Sequence, residues 1–424
     1  MKRLFPILFL LLPLWVAAQE SESVFSMDAQ LRTRGEYRNG ALFPRVEGAL
    51  PATFINDRAR LSMNYKSSML ELKVSGQHVG VWGQDPQIDP NGRFMLNESW
   101  GKLKSNGGLF AQIGRQILSY DDDRILGSLD WNVSGRSHDA LKLGYEGKSD
   151  VLHLILAFNR NNEGRIGGSF YNTNNAQPYK TMHTLWYHHG SAAQPFGISL
   201  LAMNLGWQLG TATDPSTTHM QTLGTYLTYK SGAWDINGSL YYQTGKNASE
   251  TKVSAFLLSA FLKYAVNKQF ALGAGSDYLS GDDSESAKFE AFNPLYGTHH
   301  KFYGTMDYFY ANPFNPGLNP GLWDNQLAAF FKTSKTTDLS VNYHYFLINQ
   351  DIRLNNEEYK KGLGSEFDLQ LTWSVMPNVK LLAGYSFYLG TQTMDIVKGG
   401  AHKSWQDWGW VSVNITPQLF SSKK

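Results

Sequence analysis

The chain contains no cysteine, which excludes disulfide staples, a lipid-modified cysteine and thiolate chemistry together. Its formal net charge is only +2, and it holds no basic run of the kind that tracks a phosphate backbone, so nucleic acid is set aside as a partner. After the first residues there is no long apolar segment that could cross a membrane as a helix. Nor does any stretch repeat its apolar residues with the period near 3.6 that marks an amphipathic helix. A soluble enzyme of 424 residues would carry several such helices. Stability must come from burial and backbone hydrogen bonding.

What is present is short-period alternation, 40 glycines and 14% aromatic residues. Residues 1–18, with Lys2 and Arg3 ahead of an apolar run that ends in Ala17 and Ala18, read as a secretory signal peptide cut before Gln19. Residues 19–424 then form one domain. In the first strand, about Phe25 to Arg38, Ala29, Leu31, Thr33, Gly35 and Tyr37 alternate with Gln30, Arg32, Arg34, Glu36 and Arg38. One face suits lipid and the other water. The next strand repeats this with Ala59, Leu61, Met63 and Tyr65 against Arg58, Arg60, Ser62 and Asn64. Strands near Met182–His189 and Gly197–Trp207 alternate poorly. Tyr and Trp at strand ends, Tyr37, Tyr145, Trp234, Trp408 and Trp410 among them, suit the two headgroup levels.

Connection lengths carry the architecture. Turns rich in Gly, Asn, Ser, Asp or Pro near 66–68, 104–108, 146–150, 190–196, 230–233, 265–268, 332–336 and 376–378 alternate with longer links, the longest at 281–321. This predicts an all-β, antiparallel up-and-down transmembrane barrel of about eighteen strands, with sixteen also compatible with the soft boundaries. Short turns would face the periplasm and long loops the exterior, in the outer membrane of a Gram-negative bacterium with its lipid as surroundings. A first strand at about Phe25 leaves no room for an N-terminal plug domain.

The stretch IGRQILSYDDDRILGSLDWNVSGRSHDALKLGYEG, Ile113 to Gly147, opens and closes as strand. Between Ser119 and Ser137 it is too polar and irregular for a strand, yet too rich in large residues for a slack linker. We read it as a constriction loop folded into the barrel. Asp121, Asp122, Asp123, Arg124, Trp131 and Arg136 would then border an aqueous opening, where fixed charge and a sugar-facing ring are of use. The alternative is that they pin the loop to itself.

This segment resembles the alginate export family of outer-membrane barrels. Two further stretches share the resemblance in the family's order: FNPLYGTHHKFYGTMDYF (Phe292 to Phe309), and GSEFDLQLTW followed by KLLAGYSFYLGT. The resemblance implies an eighteen-stranded monomeric barrel whose arginine- and lysine-lined conduit passes an anionic polysaccharide outward. It assigns Arg115, Arg124 and Arg136 to the conduit. Alternation adds Arg32, Arg34, Arg58, Arg60 and Lys142, but period two from Ile113 puts Arg115 on the lipid side. Asp235, Asp338, Glu366 and Asp368 make the later strands acidic. Opposed basic and acidic walls resemble a porin eyelet, so general diffusion of small dipolar solutes is the alternative to an anion-passing channel.

A barrel hydrolase would need Ser, His and a carboxylate within reach of one another. The histidine pairs His188-His189 and His299-His300 make no such set, and neighbouring histidines in a strand point to opposite faces. No enzyme activity, cofactor or metal is expected. The acidic runs Asp121–Asp123 and Asp282-Asp283 offer hard oxygen ligands, although such loops are more often merely solvated.

Overall fold

The computed structural model of the chain describes residues 23–85, 94–165, 168–174, 176–283, 286–354 and 357–423. The expected signal peptide and part of the link read from the sequence at 80–91 lie outside them. Strands β1 (Val24–Asn39), β2 (Ala52–Lys66), β3 (Leu70–Val81), β4 (Phe94–Lys104), β5 (Leu109–Gln116), β6 (His138–Glu146), β7 (Asp150–Phe158) and β8 (Thr181–His189) follow one another in hairpins. The series continues through β9 (Phe196–Gly210), β10 (Pro215–Ser231), β11 (Trp234–Lys246), β12 (Lys252–Ala265), β13 (Phe270–Leu279), β14 (Leu322–Lys332) and β15 (Thr337–Leu347). A two-stranded hairpin, β16 (Ile352–Leu354) and β17 (Glu357–Tyr359), decorates the next loop. It precedes β18 (Gly362–Met376), β19 (Val379–Gly390), β20 (Gln406–Ile415) and β21 (Gln418–Ser421). One short helix, α1 (Gln392–Lys398), starts at Thr391, whose side chain accepts from the Met394 amide.

The sheet closes because β1 pairs with β20 from Leu31↔Ile415 to Asn39↔Asp407. β21 continues the same stave against Ser26–Asp28. The break falls at Pro417, which has no amide hydrogen for the ladder but whose carbonyl still accepts from Ala29. With β20 and β21 as one stave, the described residues form a closed antiparallel barrel of eighteen strands, as the alternation of connections predicts. Two outer connections, read from the sequence as long links at 208–218 and 244–251, are shorter. β9 and β10 run to Gly210 and from Pro215, and β11 runs to Lys246, which leaves tight turns at 211–214 and 247–251.

The facing of the first hairpin is as the alternation requires: Leu31 is 45% exposed on the outer face, whereas Arg32 beside it is 6% exposed. β8 and β9 alternate poorly for a reason that only the interior explains. Their inward residues Met182, Leu201, Met203 and Leu205 belong to an apolar core inside the barrel, with Leu118, Ile125, Leu126, Tyr296, Met306 and Phe309 of the inward loops. Both faces of these strands are therefore apolar, one toward lipid and one toward the loops. The same core corrects the belt assignment for Trp408 and Trp410. Both point inward and are buried, whereas Tyr37, Tyr145 and Trp234 stay exposed on the outer face.

Candidate functional site

The loop 117–137 folds into the barrel and lies against the arginine-rich wall of β1 and β2. Arg32 donates to the carbonyls of Asp130 (2.5 Å) and Asn132 (2.9 Å), and Arg34 to that of Trp131 (3.0 Å). Arg58 reaches the Val133 carbonyl and pairs with the Asp130 carboxylate at 2.9 Å, while Gln77 donates to the Ser134 carbonyl at 2.7 Å. These side chains satisfy an irregular backbone that has no ladder of its own. Arg32, Arg34 and Arg58, expected to border open water, face the lumen but are covered by the loop they hold. Arg60, one step nearer the short-turn end, donates among the described residues to the neutral Gln77 and Asn97.

Trp131 is the pivot of the loop. The His300 ring stacks on it at 4.0 Å and 11°, and the Arg34 guanidinium carbon sits 4.0 Å from its centroid. Two planar groups that close cannot share one face, so the indole is held between them. Its edges meet Trp410 at 4.8 Å and Trp408 at 5.6 Å. Both faces of the ring are taken by these groups, while the half-buried residue still borders the chamber beneath the loops. His300 is fixed in turn by Asp307 at 2.9 Å.

The acids of this loop diverge. Asp121 accepts from the Trp186 indole at 3.1 Å, Asp122 pairs with Arg124 at 3.1 Å, and Asp123 accepts from Ser119 and lies 3.6 Å from Lys301. Three acids aimed at three partners do not make a Ca²⁺ cage, and among the described residues no group of three or more such side chains is arranged for a metal. Burial pushes the Asp121 carboxyl up to about 6, although hydrogen bonds with Ser199 and Trp186 oppose the shift. Arg124 is fully enclosed, bonded also to Asp277 (2.9 Å) and Tyr303. Burial alone would lower its pKa, but Asp277 and Asp122 raise it well above the usual value. Arg136 donates to the carbonyls of Tyr296 and Gly297.

Those last carbonyls belong to the long loop 280–321, and the two loops zip together. The Tyr296 amide donates to Ile125, Gly127 to Tyr296, and Thr298 to Asp123. Gly127 and Gly297 sit at the closest approach: a Cβ on Gly297 would lie 2.2 Å from the Arg124 carbonyl. The long loop then crosses to β18, where Thr305 donates to Asp368 and the Met306 amide to Glu366 (2.7 Å). Asp324 of β14 holds His344 at 2.9 Å. The three stretches that carry the family resemblance thus meet in space. Glu366 is sealed under the loop, whereas Asp368, mostly covered, still reaches the edge of the chamber beneath it.

Arg115 lies on the outer face, opposite to the buried Gln112 and Gln116, paired with Asp139 at 2.8 Å. The alternation, not the resemblance, had its side right. Lys142 faces inward near the Phe110 ring, 6.0 Å from its centroid, and Asp338 is exposed at the short-turn end of β15. Beneath the loops is an aqueous chamber of about 710 Å³, bordered by Asp121, Asp122, Arg124, His300, Lys301 and Asp368, with Phe261 and Phe330 on its walls. Sequence reasoning missed His300, whose place depends on the loop fold. It also missed Lys263 and Lys332, which period two would have turned inward.

A closed barrel whose loops narrow an aqueous lumen defines an outer-membrane β-barrel channel. The chain belongs to the alginate export family, whose sequence model matches residues 25–390. It is similar in fold to crystal structures of Pseudomonas aeruginosa OccK9 (OpdG), with TM-score 0.62 and 15% identity over 93% of this chain and 98% of that one. OccK2 (OpdF) of the same organism, in complex with glucuronate, gives 0.60 and 16% over 93% and 97%. Acinetobacter baumannii OccAB4 gives 0.60 and 12% over 94% and 99%. No curated protein matches the chain. The protein resides in the outer membrane of a Gram-negative bacterium, with its short turns toward the periplasm and its long loops outside.

Proposed function

We propose that this protein is a monomeric, non-enzymatic channel for small anionic hydrophilic solutes, acidic sugars and short alginate-like oligosaccharides among them. The carrying observation is the fate of the four carboxylates of the later wall. Glu366 is sealed beneath the long loop, Asp368 at the chamber's edge accepts from Thr305 and lies 3.6 Å from His344, Asp235 is paired with Lys230 at 3.4 Å, and Asp338 is left open, in a recess shared with Lys263 and Lys332. On the first wall Lys73 and Lys102 are paired with Glu98 and Glu146. Arg60, bonded to neutral amides, and Lys142 leave that wall positive as well. The surplus of both walls favours anions rather than the opposed field of a dipolar eyelet.

The chamber volume suits a solute of a few sugar rings. Against a hydrolase, Ser199 is the one serine among the described residues bonded to a histidine, His188 at 2.9 Å. It is buried, and no carboxylate bonds the far nitrogen of that ring. The test is reversal potential under a KCl gradient, together with current block by glucuronate and by glucose. Anion preference that fades with rising salt, and block by glucuronate alone, are the expected outcomes. Cation preference, or equal block by both sugars, would overturn the reading.

A further inference from the structure

The register of β12 to β18 builds a second recess in the lumen wall, nearer the periplasm than the loop chamber. Ala265 pairs with Ala271, Ala271 with Phe330, and Gly273 with Ala328. The inward floor is made of small side chains and lies back from its neighbours. Around it is a space of about 470 Å³ bordered by Lys263, Lys268, Lys332 and Phe330, with Ser340, Gln370 and Thr372 as neutral hydrogen-bonding groups. The Lys263 ammonium lies 4.0 Å from the centre of the Phe330 ring, which fixes it at the rim. Asp338 stands opposite Lys332 in the ladder without closing an ion pair. Among the described residues none of the three lysines has an ion-pair partner, unlike Lys66, Lys102 and Lys104 across the barrel.

We propose that this recess is a periplasm-facing capture site for the carboxylate of a uronate unit. The ammonium groups of Lys263 and Lys332 would hold the charge, and the amide and hydroxyl side chains the ring hydroxyls. The site rests on the anionic-solute reading above and adds a direction to it: acidic saccharides arriving from the periplasm are concentrated before they meet the loops. Unpaired lysines in a walled recess raise the local anion concentration and the association rate, a steering effect on the order of tenfold or more at low salt.

The experiment is block of single-channel current by a short oligouronate, added to either side of a bilayer holding one oriented channel. Channels are the wild type, Lys263→Gln/Lys332→Gln, and Lys230→Gln as a control that removes a periplasmic-side charge already paired with Asp235. The double variant should lose roughly tenfold in association rate from the periplasmic side. Its rate from outside, its conductance in KCl and its heat-dependent gel mobility should hold, and Lys230→Gln should match wild type. Unchanged periplasmic block in the double variant overturns the site while the anionic reading stands, as does an equal loss in Lys230→Gln. Absence of any block in the wild type overturns the reading and the site with it.

Discussion

Replacing Trp131 with alanine should loosen the constriction loop without unmaking the barrel. The indole contributes a stack with His300, a cation–π contact with Arg34 and edge contacts with Trp408 and Trp410. At about 0.5 kcal/mol for each of three aromatic pairs and about 1 kcal/mol for the cation–π contact, the loss is about 2.5 kcal/mol. At about 1.4 kcal/mol per decade, the undocked loop becomes roughly 60 times more populated. Arg32, Arg58 and Gln77 still hold the backbone from Asp130 to Ser134, so the docked form remains the main state. Single-channel recording should show the same principal conductance, with excursions to a higher level more frequent by that order. Trp373→Ala, on the lipid face, should be silent. Unchanged excursions in Trp131→Ala, or a raised frequency in both variants, would refute the assignment of the indole as the pivot.

Leu31→Arg places a charge on the lipid face at a cost of about 2–4 kcal/mol near the midplane. It should reduce the heat-modifiable folded band on gels. Arg32→Leu should leave that band intact while increasing current noise, because it removes two bonds to the loop; equal damage in both would show the register to be wrong. The pH response of the loop follows from Asp121, whose carboxyl is pushed by burial to about 6 against a usual value of 3.8. Between those values the docked loop binds more protons than the free one, so this carboxyl favours docking most below about pH 4, and that contribution is lost as pH rises through 6. Loop excursions should therefore be rarer at pH 4.5 than at pH 7.5 in wild type, and Asp121→Asn should abolish this difference.

The barrel was legible because its constraints are local and repetitive. Lipid outside and water or polar wall inside impose period two on each strand, as Leu31 and Arg32 show, and hairpin turns impose their own residues. Where alternation failed, at β8 and β9, the cause was not local. Leu201, Met203 and Leu205 face in, against Ile125, Leu126 and Tyr296, which lie far off along the chain. The inward fold of the Ser119–Ser137 loop was also readable, from bulk and polarity together. What its residues touch was not.

The sequence alone thus determined the class of fold and the positive character of the first hairpin, which follow from neighbours one or two residues apart, while closure at eighteen staves and the outward side of Arg115 were fixed by the pairing of the strands. The tertiary structure decided which charges meet water. Arg32 and Arg58 are spent on carbonyls 100 and 75 positions away, and Glu366 on the Met306 amide 60 positions away. Lys263 and Lys332 stay open because β13 sets only Ala271 and Gly273 between them. A charge's accessibility depends on what packs over it, and long-range loop packing leaves no period in the chain from which it could be read.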